Sequence, residues 1–205
     1  MEEKRITDLV FIVDKSGSMA SIRKATIKAF NEILETQKKQ AFDDEARITF
    51  AIFNDQYERN CLRASIEEVP VLSLENYNPT GCTALNDAVG KTICDLQEAQ
   101  KADVGREIKT LVCVLTDGLE NSSREFSRTA IKALIQAKKA EGWEFLFVGS
   151  EFDVEKEAQT FGFSEDEAFC FEHNEKGFKK ASHAIAKCCE CARSAEPRKR
   201  SVFGK

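Results

Sequence analysis

The stretch Thr7-Asp8-Leu9-Val10-Phe11-Ile12-Val13-Asp14-Lys15-Ser16-Gly17-Ser18 decides the fold. From Thr7 to Val13 it is a near-continuous apolar run. Such runs mark strands covered on both faces, the habit of parallel sheets. The run stops at a polar loop with a glycine, Asp14 to Ser18. An amphipathic helix is expected next, from about Ala20 to Lys39. Its stripe is Ile22, Ala25, Ala29 and Ile33, with Phe30 and Leu34 alongside.

Outward from there the pattern repeats. Arg47 to Phe53 and Tyr57 to Ala64 read as strands joined by Asn54-Asp55-Gln56, a hairpin at a sheet edge. Ser65 to Cys82, with Pro70 and Pro79, reads as irregular. Thr83 to Lys101 reads as a helix, Lys109 to Leu115 as a buried strand, and Arg124 to Glu141 as a helix carrying Phe126, Ala130, Leu134 and Ala137 on one stripe. Trp143 to Val148 is a further strand. A short helix from Val154 to Phe161, a strand from Ala168 to Phe171 and a helix from Lys176 to Ala192 close the pattern. Strands alternating with helices imply an α/β, Rossmann-like doubly wound sheet, mostly parallel with one antiparallel edge strand and helices on both faces. Residues 1–195 are expected to form one domain, and 196–205, with Arg198-Lys199-Arg200, a basic flexible tail.

Composition narrows the function classes. The 205 residues carry a net charge of −5, against the basic surface that a general nucleic-acid binder needs. The charged start Met1-Glu2-Glu3-Lys4-Arg5 and the short run after it fit neither an export signal nor a membrane span, so a cytosolic protein is expected. The eight cysteines are expected as reduced thiols, with Cys113 and Cys170, inside apolar runs, acting as small buried hydrophobes.

Doubly wound sheets bind ligands beyond the carboxyl ends of their strands, where the winding reverses. Three loops fall there: Asp14 to Ser18, Thr80-Gly81-Cys82-Thr83-Ala84-Leu85, and Thr116-Asp117-Gly118. Their hydroxyls and carboxylates are hard ligands, suited to Mg²⁺, Mn²⁺ or Ca²⁺ rather than zinc. Gly17 permits a tight turn between Ser16 and Ser18. Ser18 or its neighbour stands where a hydroxyl caps a helix.

Phe11 to Met19 resembles the Asp-x-Ser-x-Ser motif of von Willebrand factor A domains, which defines their metal-ion-dependent adhesion site. Thr80 to Leu85 resembles the family's threonine loop, and Leu115-Thr116-Asp117-Gly118 its third element. The resemblance implies one divalent cation, Mg²⁺ first, held by Asp14, Ser16, Ser18, Thr83 and Asp117. It implies an open coordination position for a carboxylate of a partner protein. Phe145 to Ser150, followed by a short helix, is similar to stand-alone bacterial and phage members, thought to act in assembly or scaffolding.

Other readings stay open beside this one. Asp14 and Asp117 with Mg²⁺ also suit phosphoryl transfer, but a second aspartate would be needed where Ser16 stands. Cys188-Cys189-Glu190-Cys191 with His183 suggests zinc; helical spacing instead puts Cys188 in a core stripe, and no second Cys-x-x-Cys pair exists. Cys189 and Cys191 are expected to be partly exposed. Glu120 and Asn121 either shape partner choice or start the next helix. Asn54 and Asp55 are expected at the border of the site, His173 and Asn174 on the surface. Some family members shift their last helix on binding.

Overall fold

Strand β1 (Ile6–Asp14) runs through a six-stranded sheet with all nine of its residues buried. The computed structural model describes residues 4–150, 154–172 and 174–194. His173 and the basic segment Arg198-Lys199-Arg200 lie outside the described residues.

The other strands are β2 (Glu45–Phe53), β3 (Tyr57–Ser65), β4 (Ile108–Thr116), β5 (Glu144–Ser150) and β6 (Ala168–Phe171), in the order β3-β2-β1-β4-β5-β6. All neighbours are parallel except β3, which pairs antiparallel with β2 at one edge. The chain winds outward from β1 through β2 to β3, then returns to place β4 on the other flank of β1. That reversal opens a crevice at the carboxyl ends of β1 and β4.

Side-chain alternation sorts the core into two layers. Leu9, Phe11 and Val13 of β1 face one way, with Leu111, Cys113, Leu115, Leu146 and Val148. They meet α1 (Arg23–Lys39) and α5 (Glu175–Arg193), which also pack on each other. Val10 and Ile12 face the other layer with Val112, Val114, Phe145 and Phe147, under α2 (Leu85–Gln100), α3 (Arg128–Ala140) and α4 (Val154–Thr160). Burying each large side chain contributes roughly 1.5–3 kcal/mol, so the two layers carry much of the stability. In the first layer the Phe30 ring stacks on Phe50 at 4.2 Å and meets Phe11 edge-on at 5.7 Å.

Three helices start later than the sequence reading places them, each for a local reason. Residues Gly17–Ile22 form a 3₁₀ turn, and α1 starts only at Arg23. The Gly17 N–H is drawn away to the Gly81 carbonyl at 3.1 Å, so the regular helix begins later. Helix α2 starts at Leu85, because the peptide groups of Thr83 bond across to another loop. Helix α3 starts at Arg128, capped by Ser127. The N–H groups of Arg124, Glu125 and Phe126 are taken by the Asp87 carboxylate at 2.8–3.0 Å. Phe126 still packs inward, over Gly90, where a Cβ would lie only 2.6 Å from its ring.

Cys113 is buried as expected, but Cys170 is exposed. It sits on β6, the strand at the edge of the sheet. Cys189 is fully buried rather than partly exposed, because it joins the layer between α1 and α5. The far end of α5 is fixed by Arg193, itself 6% exposed: its guanidinium bonds Asp44 at 3.0 Å and the Gln37 carbonyl at 2.7 Å, and lies 4.3 Å over the Phe42 ring. Arg5 in turn donates to the Arg193 carbonyl at 2.6 Å.

Phe30→Ala removes a ring that two others pack on. It should lower stability by about 3–5 kcal/mol, read as a lower denaturant midpoint with an unchanged slope. A loss under about 1 kcal/mol would mean that this layer repacks freely.

Candidate metal centre

The three loops meet at the carboxyl end of the sheet. Register places Asp14 beside Phe53 of β2 and Val13 beside Leu115 of β4, so the first and third loops leave the sheet side by side. The second loop is laced to the first by Thr80 N–H to the Lys15 carbonyl at 2.8 Å and by Gly17 N–H to the Gly81 carbonyl at 3.1 Å. Asn54 supports it from the hairpin: its carbonyl accepts from Ala84 N–H at 2.8 Å, and its amide donates to the Thr80 carbonyl at 2.9 Å. Gly81 has φ +76°, and a Cβ there would meet the Asp55 carboxylate at 2.3 Å, so only glycine fits. Asn54 and Asp55 thus border the site.

Asp14, Ser16 and Thr83 are buried, Asp117 is partly exposed and Ser18 is exposed. Ser18 Oγ donates to Asp117 Oδ1 at 2.6 Å and lies 3.2 Å from Ser16 Oγ. Ser16 flanks the 3₁₀ turn but makes no side-chain cap bond. The expected capping role for these serines therefore gives way, and their hydroxyls face the loops instead. A Cβ built on Gly118 marks the meeting point: it would lie 2.9 Å from Thr83 Oγ1 and 3.5 Å from both Ser16 Oγ and Ser18 Oγ. Three hydroxyl oxygens from two loops surround one space that the third loop leaves empty by ending in glycine. An all-oxygen set around such a space suits a hard divalent cation.

Asp14 lies beneath the hydroxyls. Its Oδ1 accepts the Ser16 N–H at 2.6 Å and its Oδ2 the Thr116 hydroxyl at 2.6 Å. Its carbonyl accepts from the buried Tyr77 hydroxyl at 2.5 Å. Burial pushes the Asp14 carboxyl up from 3.8 to about 6; the bonds from Thr116 and Ser16 pull it back, and the charge of Asp117 adds to the rise. The partly exposed Asp117 beside the buried Asp14 gives these loops a negative potential, which a cation would relieve.

Thr116 and Tyr77 were not marked by the sequence pattern. Thr116 holds both Asp14 and the Gly118 N–H, which it accepts at 3.1 Å. The Glu120 carboxylate accepts from the N–H groups of Asn86, Ser122 and Ser123 and from the Ser123 hydroxyl, at 2.7–2.9 Å. It binds the start of α2 to its own loop. Asn121 Oδ1 accepts the Thr83 N–H at 2.9 Å.

The cysteine-rich end of α5 does not assemble a zinc set. Cys188 and Cys189 are core residues and His183 points outward. Among the described residues no group of three or more His, Cys, Asp or Glu side chains is placed to hold a metal. No helix among them is long and apolar enough to cross a membrane.

The model of the von Willebrand factor type A domain family matches residues 8–183. No curated protein matches the chain. Among solved structures, the von Willebrand factor domain of the type V pili tip protein Mfa5 from Porphyromonas gingivalis superposes with TM-score 0.68 at 10% identity, over 96% of this chain and 99% of that one. Proximal thread matrix protein 1 from the mussel byssus, with a zinc-occupied MIDAS motif, gives TM-score 0.62 at 17% identity, over 91% and 46%. Manganese-loaded TRAP protein of Plasmodium vivax gives 0.62 at 17%, over 91% and 73%. This chain spans about half the length of the mussel protein it matches. At such identities the likeness establishes the fold.

The Asp14 carboxyl supplies a test by pH. Its proton favours the metal-free fold fully below pH 3.8, and that contribution is lost as pH rises through about 6. Asp14→Asn has no charge to bury. In chelator at about pH 7.5 it should be more stable than the wild type by about 1–3 kcal/mol, a gap that narrows and closes toward about pH 4. A variant less stable at every pH would show that burial of this charge is not the dominant effect.

Proposed function

We propose that this chain, which belongs to the von Willebrand factor type A family, is a binding module that captures a carboxylate of a partner protein on one divalent cation. Asp14, Ser16, Ser18, Thr83 and Asp117 would hold the cation, with Mg²⁺ the first choice and Mn²⁺ or Ca²⁺ the alternatives. The observation that carries this reading is the convergence of three hydroxyls on the space beside Gly118. Two structural neighbours, one with zinc at its MIDAS motif and one loaded with manganese, support a divalent ion in this fold.

Each residue has a distinct part. Ser16, Ser18 and Thr83 offer neutral oxygens, so the site gathers few formal charges and leaves the cation unsatisfied. The bound cation supplies the positive charge that draws in an external carboxylate. Asp14 sets the direction of Ser16 through the Ser16 N–H, and Asp117 that of Ser18 through its hydroxyl. We read residues 1–195 as one such domain followed by a basic tail, acting in the cytosol.

Phosphoryl transfer fits less well. A nucleophilic aspartate must face its substrate, but both Asp14 oxygens already accept hydrogen bonds in a buried position. The Ser16 position offers a hydroxyl where a second aspartate would act as general acid.

Calorimetry should show saturable binding of Mg²⁺ and Mn²⁺ to the wild type. Gly118→Ala should abolish it, since the added methyl enters the site 2.9 Å from Thr83 Oγ1, and should lower the melting temperature of the metal-free protein by no more than about 2–4 °C. The double variant Asp14→Ala with Ser16→Ala should lose both metal binding and metal-dependent partner capture. Wild-type metal affinity in Gly118→Ala would place the cation elsewhere.

A further inference from the structure

Thr83 carries one of the three converging hydroxyls, yet it belongs to no helix or strand. Its direction is set by its own peptide groups. The Thr83 carbonyl accepts two backbone bonds, from Asn121 N–H at 3.0 Å and Ser122 N–H at 3.3 Å. The Thr83 N–H has a different kind of partner, the side-chain oxygen Asn121 Oδ1 at 2.9 Å. Asn121 thus grips Thr83 from both sides, through its backbone N–H and through its amide.

The grip joins two loops. Asn121 lies four positions beyond Asp117 on the third loop, and that loop is itself anchored on α2 by Glu120 and Asp87. A Thr83 held by Asn121 therefore moves with Asp117 and not separately from it. Asn121 is exposed, so its side chain adds nothing to the core. Thr83 is 3% exposed, and its N–H, without the amide, must turn to find another acceptor. Turning the peptide swings the hydroxyl.

We propose that Asn121 is a positioning residue of the metal centre, fixing the Thr83 hydroxyl against the Asp117 loop. This rests on the reading of the site as a cation site, and it assigns Asn121 no contact with the ion.

Three proteins titrated with Mn²⁺ by calorimetry test it. Asn121→Ala should bind about tenfold more weakly than the wild type, the equivalent of one net hydrogen bond. Its metal-free melting temperature should move by no more than about 2–4 °C. Asn121→Asp keeps the acceptor oxygen and should bind at least as tightly as the wild type. Wild-type affinity in Asn121→Ala overturns the proposal alone, as does an Asn121→Asp variant as weak as Asn121→Ala. A wild-type protein that takes no Mn²⁺ overturns the cation reading, and this proposal with it.

Discussion

The buried carboxylate of Asp14 is the tie on which the ligand end of the molecule depends. It stands at the last residue of the central strand and accepts from Thr116, the last residue of the strand beside it. A side-chain bond thus clamps the two strands where the winding reverses and where they would otherwise splay. The same carboxylate turns the chain into the serine loop through the Ser16 N–H. The cost is a charge held away from water, which burial alone makes unfavourable. A cation bound beside it, as proposed, would offset that imbalance.

Around this tie, the loops satisfy each other's backbone. Thr80, Gly81, Thr83 and Ala84 all exchange main-chain bonds with neighbouring segments, and Asp87 and Glu120 absorb N–H groups that would otherwise face nothing. Backbone groups in loops normally turn to water. Here they are used up internally, and the hydroxyls remain as the surplus. A serine that makes no cap bond and a threonine outside any helix thus turn their hydroxyls toward one another.

How much of this the sequence reveals depends on the range of the interactions. The parallel sheet covered on both faces follows from runs such as Leu9 to Val13 and Leu111 to Leu115, whose apolar character is a local property, whereas the order of its strands does not. The five candidate residues are legible because each stands at or beside the end of a recognisable element and together they form a family pattern; the structure places four of them, Ser16, Ser18, Thr83 and Asp117, side by side, with Asp14 beneath. Tyr77 escapes because its partner Asp14 is 63 residues away and its own segment has no periodicity. The late starts of α1 and α3 escape for the same reason. They go with acceptors far away in sequence, the Gly81 carbonyl on a loop and the Asp87 carboxylate on α2, which helix propensity does not show. Cys170 reads as core because Phe169 and Phe171 flank it, and only its place on the sheet edge exposes it.

The clamp at the far end of α5 bears on how a signal could travel. Arg193 and Asp44 form a buried pair, and Arg193 also holds the end of α1 through the Gln37 carbonyl. Sliding α5 along its axis would part that pair without water to compensate, at a cost on the order of 3–5 kcal/mol. Coupling between distant sites typically amounts to about 1–3 kcal/mol. A coupling of that size falls short of parting the pair, so sliding α5 away from Asp44 is disfavoured. Any displacement of α5 would therefore have to carry Asp44 and the end of α1 along with it.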